Sequence, residues 1–198
     1  MNKLSHQIDG ICAIIVGFLS IAYAVFYLLV SRSAPVLGMA VSWIVLAASG
    51  LFSSAVYVAL HEELKEINGG FALWSVLLGV AASMATLVHG GYEAILMNSG
   101  TAVAQAPSQV DPGGLMTFFV TGLVVFVFSY LMVHSRVFPR GLGTLGMVNA
   151  VVLVILFIAT VSQVQALILV SGGLTSVILG PIWWIWLGRW LMRLPGTS

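Results

Sequence analysis

Apolar residues occur along this chain in six long runs that are separated by short polar segments. A helix needs about 20 predominantly apolar residues to cross the roughly 30 Å hydrocarbon core of a bilayer, and each run meets that length. Within each run, apolar residues occupy all faces of the predicted helix and not a single face, as expected when lipid replaces water outside. The predicted spans are 8–30, 36–60, 71–97, 114–134, 141–161 and 166–194.

The basic residues between these runs predict the orientation of the chain, because cytoplasmic loops carry an excess of lysine and arginine. On one side of a six-span chain the only basic residue is Arg32. The others lie at the two termini and in the second and fourth loops: Lys3, Lys65, Arg136, Arg140, Arg189 and Arg193. We therefore predict that both termini are cytoplasmic.

Composition supports a membrane protein and excludes two other classes. The chain of 198 residues is 60% hydrophobic and 7% charged, whereas soluble domains carry about 25% charged residues. A net charge of +1 provides no basic surface for nucleic acid, and the single cysteine, Cys12, excludes an internal disulfide. The apolar run 11–30 is longer than the hydrophobic region of a signal peptide, which has about 7–15 residues, so we predict a retained first span. The fold class is an all-α membrane bundle, a single domain over 1–198 whose surroundings are the lipid bilayer.

Three side chains capable of proton chemistry stand together in "LVHGGYEAILMNSG": His89, Tyr92 and Glu93. If the helix continues through the two glycines, positions 89 and 93 share a face. A helix that begins near residue 71 reaches them after roughly 27 and 33 Å, at the outer membrane boundary. Two interpretations stay open: an ordinary interfacial cluster, or a surface pocket for a quinone-like headgroup, a lipid headgroup or a partner chain. No metal site is predicted, because a third ligand would have to come from a distant residue such as Asp111.

Other polar candidates are few. Asn149 is the main polar residue expected to be buried inside a span. His61 and His134 both fall at predicted cytoplasmic span ends, so a bis-histidine haem is geometrically conceivable. Histidines in such positions are more often interfacial, and the sequence requires no cofactor.

The stretch "GPIWWIWLGRWLMRLPG" concentrates tryptophan near the cytoplasmic end of the last span. Tryptophan is enriched at membrane interfaces because its ring is apolar and its N–H needs a polar partner. We interpret the stretch as an anchoring belt, with a stacking surface for a pigment, sterol or quinone as the alternative. The anchors are Trp183, Trp184, Trp186 and Trp190, with Arg189 and Arg193 beside them.

Small residues recur at four-residue spacing in several spans. This spacing lets another helix backbone approach closely and predicts tight internal packing; the alternative is that one row faces lipid and serves a partner subunit. The rows are Ser75, Gly79 and Ser83; Gly172, Ser176 and Gly180; and Gly50 with Ser54. Pro181 is expected to bend the sixth span, because it removes one backbone hydrogen bond.

The C-terminal third, with "FPRGLGTLGMVNAVVLV" followed by "GPIWWIWLGRWLMR", resembles an uncharacterised family of small bacterial multipass membrane proteins. The resemblance covers roughly residues 136–193. It rests on the turn with Pro139, Arg140, Leu142 and Gly143, which Gly141 interrupts, and on Trp184 and Gly188. It implies a protein of the bacterial inner membrane and supplies no activity.

What the sequence lacks narrows the function. Apart from Asp9, Glu93, Arg189 and Arg193 toward span ends, the predicted spans contain no charged residue, whereas ion-coupled transporters usually keep one near the midplane. Catalytic motifs are missing as well. We predict a non-catalytic protein, either an accessory subunit of a membrane complex or a binder of a lipid-soluble small molecule. The alternatives are a transporter or channel for an uncharged solute that uses Asn149, and a haem or quinone redox protein that uses His61 and His134.

Overall fold

The computed structural model describes residues 3–98 and 110–195, and this part of the chain is almost entirely helical. Three short π-helical segments, π1 to π3, interrupt seven α-helices, and a 3-10 turn, Pro112–Gly114, precedes π2. The elements in chain order are α1 (Lys3–Val25), π1 (Phe26–Val30), α2 (Ser31–Ser33), α3 (Pro35–Asn98), π2 (Leu115–Val120), α4 (Thr121–His134), α5 (Arg140–Val161), α6 (Gln165–Gly173), π3 (Leu174–Leu179) and α7 (Gly180–Leu191).

Five helical stretches in the described ranges are long and apolar enough to cross a membrane, in agreement with the predicted membrane bundle. They are Lys3–Ser33, Pro35–Met97, Pro112–His134, Arg140–Val161 and Gln165–Leu191. The second of them contains two of the predicted spans, 36–60 and 71–97.

The helix α3 turns back on itself at Asn68, whose φ of −158° and ψ of 95° are not helical. The Asn68 Oδ1 accepts a 3.1 Å hydrogen bond from the Phe71 N–H, as a helix N-cap residue does. The halves before and after Asn68 pack against each other in antiparallel fashion. Ser53 and Ser83 bond across this contact, with 2.9 Å between their hydroxyl oxygens.

Glycine makes that close approach feasible. A Cβ placed on Gly50 would lie 2.5 Å from the Ser83 carbonyl oxygen, and one on Gly90 would lie 2.6 Å from the Ala47 N. Gly79 similarly leaves room for the Tyr57 ring. The predicted packing role of the small residues is confirmed at Gly50 and Gly79, because side chains there would separate the two halves.

The bundle has two ends, which we name by what they contain. The terminal end holds the start of α1, the turn at Asn68, the turn between α4 and α5, and the end of α7. The loop end holds α2, the end of α3, Asp111 and the turn between α5 and α6.

The two ends differ in how well they are packed, because the large fully buried side chains concentrate toward the terminal end. There they form a continuous apolar core in which α1, α4, α5 and α7 meet the turned-back α3. These side chains are Trp183, Tyr57, Phe128, Leu60, Leu64, Leu131, Met132, Leu142, Leu187, Leu191, Val56 and Val124.

The last predicted span, 166–194, has an irregularity before its proline. The segment π3 ends at Leu179, and Pro181 stands in the first turn of α7. Proline cannot donate to the carbonyl one turn earlier and clashes with it. The wide π-helical turns before Pro181 therefore accommodate the interruption that the sequence predicts as a bend.

Candidate ligand-binding cavity

The loop half of the bundle contains a cavity of about 380 Å³. This volume lies within the 300–1,000 Å³ typical of small-molecule sites. Residues of α1, both halves of α3, π2, α5, π3 and α7 contribute to its wall. The wall combines leucine and aromatic side chains with hydroxyls and one amide. Its polar members include Ser20, Ser49, Ser53, Ser83, Thr86, Thr117, Thr121, Thr160, Thr175 and Asn149.

At mid-depth the wall carries a buried polar pair between α5 and π3. Asn149 is 3% exposed, which confirms its prediction as a buried polar residue. Its Oδ1 accepts a 2.6 Å hydrogen bond from the Thr175 hydroxyl. Because the Asn149 Oδ1 is engaged in this way, its side-chain NH₂ group is the part that can serve a ligand.

At the loop end, Asp111 fixes the start of the fourth predicted span. Its two carboxylate oxygens accept hydrogen bonds from the N–H groups of Met116 (2.8 Å) and Thr117 (3.0 Å). Between Asp111 and Met116 the chain passes through Gly113 and Gly114, with φ of +64° and +73°, values that favour glycine. Asp111 thus caps a helix start whose N–H groups would otherwise lack partners.

Asp111 also faces the second half of α3. Its Oδ2 lies 3.7 Å from the Nδ1 of His89, which makes the pair an electrostatic contact and not a hydrogen bond. Beside it, the hydroxyls of Thr86 and Thr117 lie 3.3 Å apart. We call Thr86, His89, Asp111 and Thr117 the collar, since all four line the cavity at its loop end.

The collar holds a carboxylate that stays ionised. Burial raises the pKa of Asp111, but interactions with His89, with the Thr117 hydroxyl and with the two backbone N–H groups lower it to about 2. Asp111 is only 2% exposed. The loop end of the cavity therefore carries a fixed negative charge next to the His89 ring.

The structure separates the three residues that the sequence groups at 89–93. His89 is 8% exposed, lines the cavity and packs against Trp43, with 5.2 Å between ring centroids. Tyr92 is 42% exposed. Neither Tyr92 nor Glu93 belongs to the described cavity wall, so a pocket built from all three stays a prediction, while His89 belongs to a deeper site.

The tryptophans of the last span also differ in their exposure. Trp183 is fully buried and Trp184 is 8% exposed and lines the cavity, with its ring centroid 5.9 Å from that of Tyr57. The face of α7 that carries these two packs inside the bundle, so their rings do not face lipid, and their position at the membrane interface stays a prediction. Trp186 is 38% exposed, and Trp190 donates a 2.8 Å hydrogen bond to the Val137 carbonyl. Arg189 and Arg193 are exposed near the terminal end, where the belt is predicted.

The two histidines of the predicted haem pair lie toward the terminal end, away from the cavity. His61 is half-buried. His134 is exposed, and its Nδ1 bonds to the Tyr130 carbonyl at 2.8 Å. Within residues 3–98 and 110–195, no group of three His, Cys, Asp or Glu side chains is arranged to hold a metal. A haem between these histidines stays a prediction.

Sequence reasoning missed two polar contacts. One is the cap that Asp111 forms, although aspartate followed by proline at the first helical position is a recognisable helix start. The other joins His6 to Glu63 at the terminal end, with 2.9 Å between Nε2 and Oε1. No sequence signal identifies this second pair, since it depends on how α1 packs against α3.

Comparison with protein-family models, with curated proteins and with solved structures returns no match for this chain. The resemblance of residues 136–193 to an uncharacterised bacterial membrane family therefore stays a prediction.

Proposed function

We propose that this chain is a non-catalytic integral membrane protein that binds a small lipid-soluble molecule in the cavity of its loop half. The observation that carries the proposal is the cavity itself, which combines apolar walls with a few placed polar groups, the composition typical of ligand pockets. An accessory subunit that acted only by packing against partners would have no need for such a space.

The position of the cavity supports binding over conduction. A channel for an uncharged solute needs a polar path that reaches both ends of the bundle. Here the terminal end is filled by the apolar core around Trp183, Phe128 and Leu142, each 0% exposed. A cavity that is closed on one side suits a molecule that is held.

The polar groups of the wall indicate the chemistry of the ligand. They are hydroxyls, one amide and the His89 imidazole, together with the charge on Asp111, which is already bonded to backbone N–H groups. We therefore propose an uncharged or weakly polar ligand, since burying an unpaired charge in this wall would be costly.

The topology that we propose has six spans with both termini in the cytoplasm of a bacterial cell. It is supported by the turn at Asn68, which brings the end of the second predicted span back to the start of the third, and by the distribution of lysine and arginine. A reporter fused after Ser198 should be active in the cytoplasm, and a periplasmic location would contradict the orientation.

Ser49 and Ser54 offer a matched pair of variants for testing ligand binding. Each hydroxyl donates a 2.7 Å hydrogen bond to the carbonyl three residues earlier, but only Ser49 lines the cavity. Ser49→Phe should fill part of the space, whereas Ser54→Phe should leave it open. Organic extracts of the purified proteins are then compared by mass spectrometry. We expect a molecule that co-purifies with the wild type and with Ser54→Phe but is depleted in Ser49→Phe; equal amounts in both variants, or no such molecule, would contradict the proposal.

A further inference from the structure

The helices α1 and α7 pack closely over most of their length and then separate. Near the terminal end, Gly10 faces Gly188 and Gly17 faces Pro181, and a Cβ on either α1 glycine would collide with the opposite helix. Further along, the Ser20 hydroxyl donates a 3.1 Å hydrogen bond to the Ser176 carbonyl. The segment π3, which contains Ser176, is the last part of this span toward the loop end that packs against α1.

From Ser176 toward the loop end, the last predicted span separates from α1. The helix α6 packs along α5 and does not pack against α1, although the described residues of both helices continue to the loop end. Gly173 is the last residue of α6 and stands three residues before Ser176. A Cβ at Gly173 would meet no atom within 4 Å, so a gap opens between α1 and α6 at this level.

Cavity residues border this gap. Tyr23 and Tyr27 of α1 and π1 stack in parallel, with ring centroids 5.4 Å apart and planes inclined by 9°. Both line the cavity, and Tyr27 is 40% exposed. The stacked pair therefore borders the cavity on the side where α6 does not pack against α1.

Among the described residues, two other sides of the cavity are lined by buried side chains. The apolar core fills the terminal end, and His89 and Asp111, which are 8% and 2% exposed, line the cavity at the loop end. On the outer face of α6, Leu169 and Val170 are 51% and 67% exposed. In a bilayer the gap between α1 and α6 would therefore open on acyl chains and not on water.

We infer that the gap between α1 and α6 is a lateral portal through which a single-chain amphiphile, such as a long-chain alcohol, enters the cavity from the membrane. This inference rests on the proposed function and adds the ligand class and its route. The chain of the molecule would follow the Tyr23 and Tyr27 rings. Its hydroxyl would meet the neutral polar groups at mid-depth, where the Asn149 NH₂ group lies.

Two glycines allow a test with a matched control. A Cβ at Gly173 or at Gly91 would meet no atom within 4 Å, so we expect both Gly173→Trp and Gly91→Trp to fold. Only the first would fill the portal. Each protein is reconstituted in phosphatidylcholine vesicles that contain a hexadecanol with a photoactivatable diazirine in its chain. The rate at which the cavity peptides containing Tyr23 and Ser176 become labelled is measured by mass spectrometry, with unlabelled hexadecanol as competitor.

We expect competable labelling in the wild type and in Gly91→Trp, and labelling slower by roughly tenfold or more in Gly173→Trp, because the portal limits entry. Equal rates in all three proteins would overturn the lateral route and leave the proposed function standing. Absence of competable labelling in the wild type would count against a long-chain alcohol as ligand, and the inference would fall with it.

Circular dichroism and size-exclusion profiles of the variants identify any loss of folding. If Gly173→Trp is misfolded, the rate is measured with Gly173→Leu, and the same outcomes apply.

Discussion

The Thr175 hydroxyl donates a 2.6 Å hydrogen bond to the Asn149 Oδ1 across the contact between π3 and α5, and both residues are buried. The bond ties the irregular part of the last predicted span to a regular helix at mid-depth. The π-helical turns of π3 have wider geometry than an α-helix, so this bond helps to fix the cavity wall where the backbone is least regular.

Thr175→Val should therefore destabilise the protein by about 1–2 kcal/mol, because the Asn149 Oδ1 loses its partner in an apolar environment. The free energy of unfolding is measured by titration with sodium dodecyl sulfate in mixed micelles. The double variant Thr175→Val with Asn149→Leu should lose less than the sum of the two single variants. Strict additivity would show that the bond contributes nothing to stability.

Gly90 and Gly91 should respond differently to the same substitution. Gly90→Ala should cost about 1–3 kcal/mol of unfolding free energy, since the new methyl group would press against the backbone near Trp43 and Ala47. Gly91→Ala meets open space and should be neutral or stabilising by up to about 1 kcal/mol, because alanine favours the helix. Thermal unfolding of the two proteins side by side measures the difference. Similar costs at both positions would contradict the antiparallel packing of the halves of α3.

Asp111 should make stability depend on pH only in strong acid. Its pKa is about 2 in the folded protein against an ordinary value of 3.8. A carboxyl group whose folded pKa is lowered stabilises above its unfolded pKa, and this contribution is lost as the pH falls through the folded value. We expect a loss of about 2 kcal/mol between pH 4 and pH 2, measured as unfolding free energy. Asp111→Asn should remove most of this dependence; an unchanged profile would show that another group is responsible.

The contact between His6 and Glu63 should hold the start of α1 against α3. Glu63→Leu leaves a buried imidazole without its 2.9 Å partner and should cost about 1–3 kcal/mol. Glu66→Leu, three residues later and exposed, is the matched control and should change stability by less than about 0.5 kcal/mol. Limited proteolysis at the N-terminus gives a second measurement, which should show faster cleavage in Glu63→Leu alone.

The membrane-length helices could be predicted from the sequence because lipid requires long apolar runs, whichever residues form them. The surroundings of single residues could not be predicted from the sequence. Trp183 and Trp184 stand in a segment that is typical of an interface, yet α7 turns them inward against Tyr57 and Phe128. The statistics of membrane position contain no information on which neighbour a helix face will meet.

The candidate site was only partly predictable for the same reason. Asn149 and His89 stand out in the sequence because polar side chains are scarce in spans. The importance of Asp111 depends on two further facts, the backbone N–H groups that it caps and its approach to His89 at 3.7 Å. The separation of α6 from α1 leaves no trace in the hydrophobic pattern, because a helix facing lipid and a helix facing a cavity have similar composition.

The contrast between a filled terminal half and a hollow loop half has a volumetric consequence. Hydrostatic pressure favours states in which internal voids are eliminated, and here the void lies in one half of the bundle. Compression should therefore act first on the helix segments around the cavity, while the core around Trp183 resists. A ligand that fills the space would remove this difference, so the compressibility of the protein should report occupancy even when the identity of the ligand is unknown.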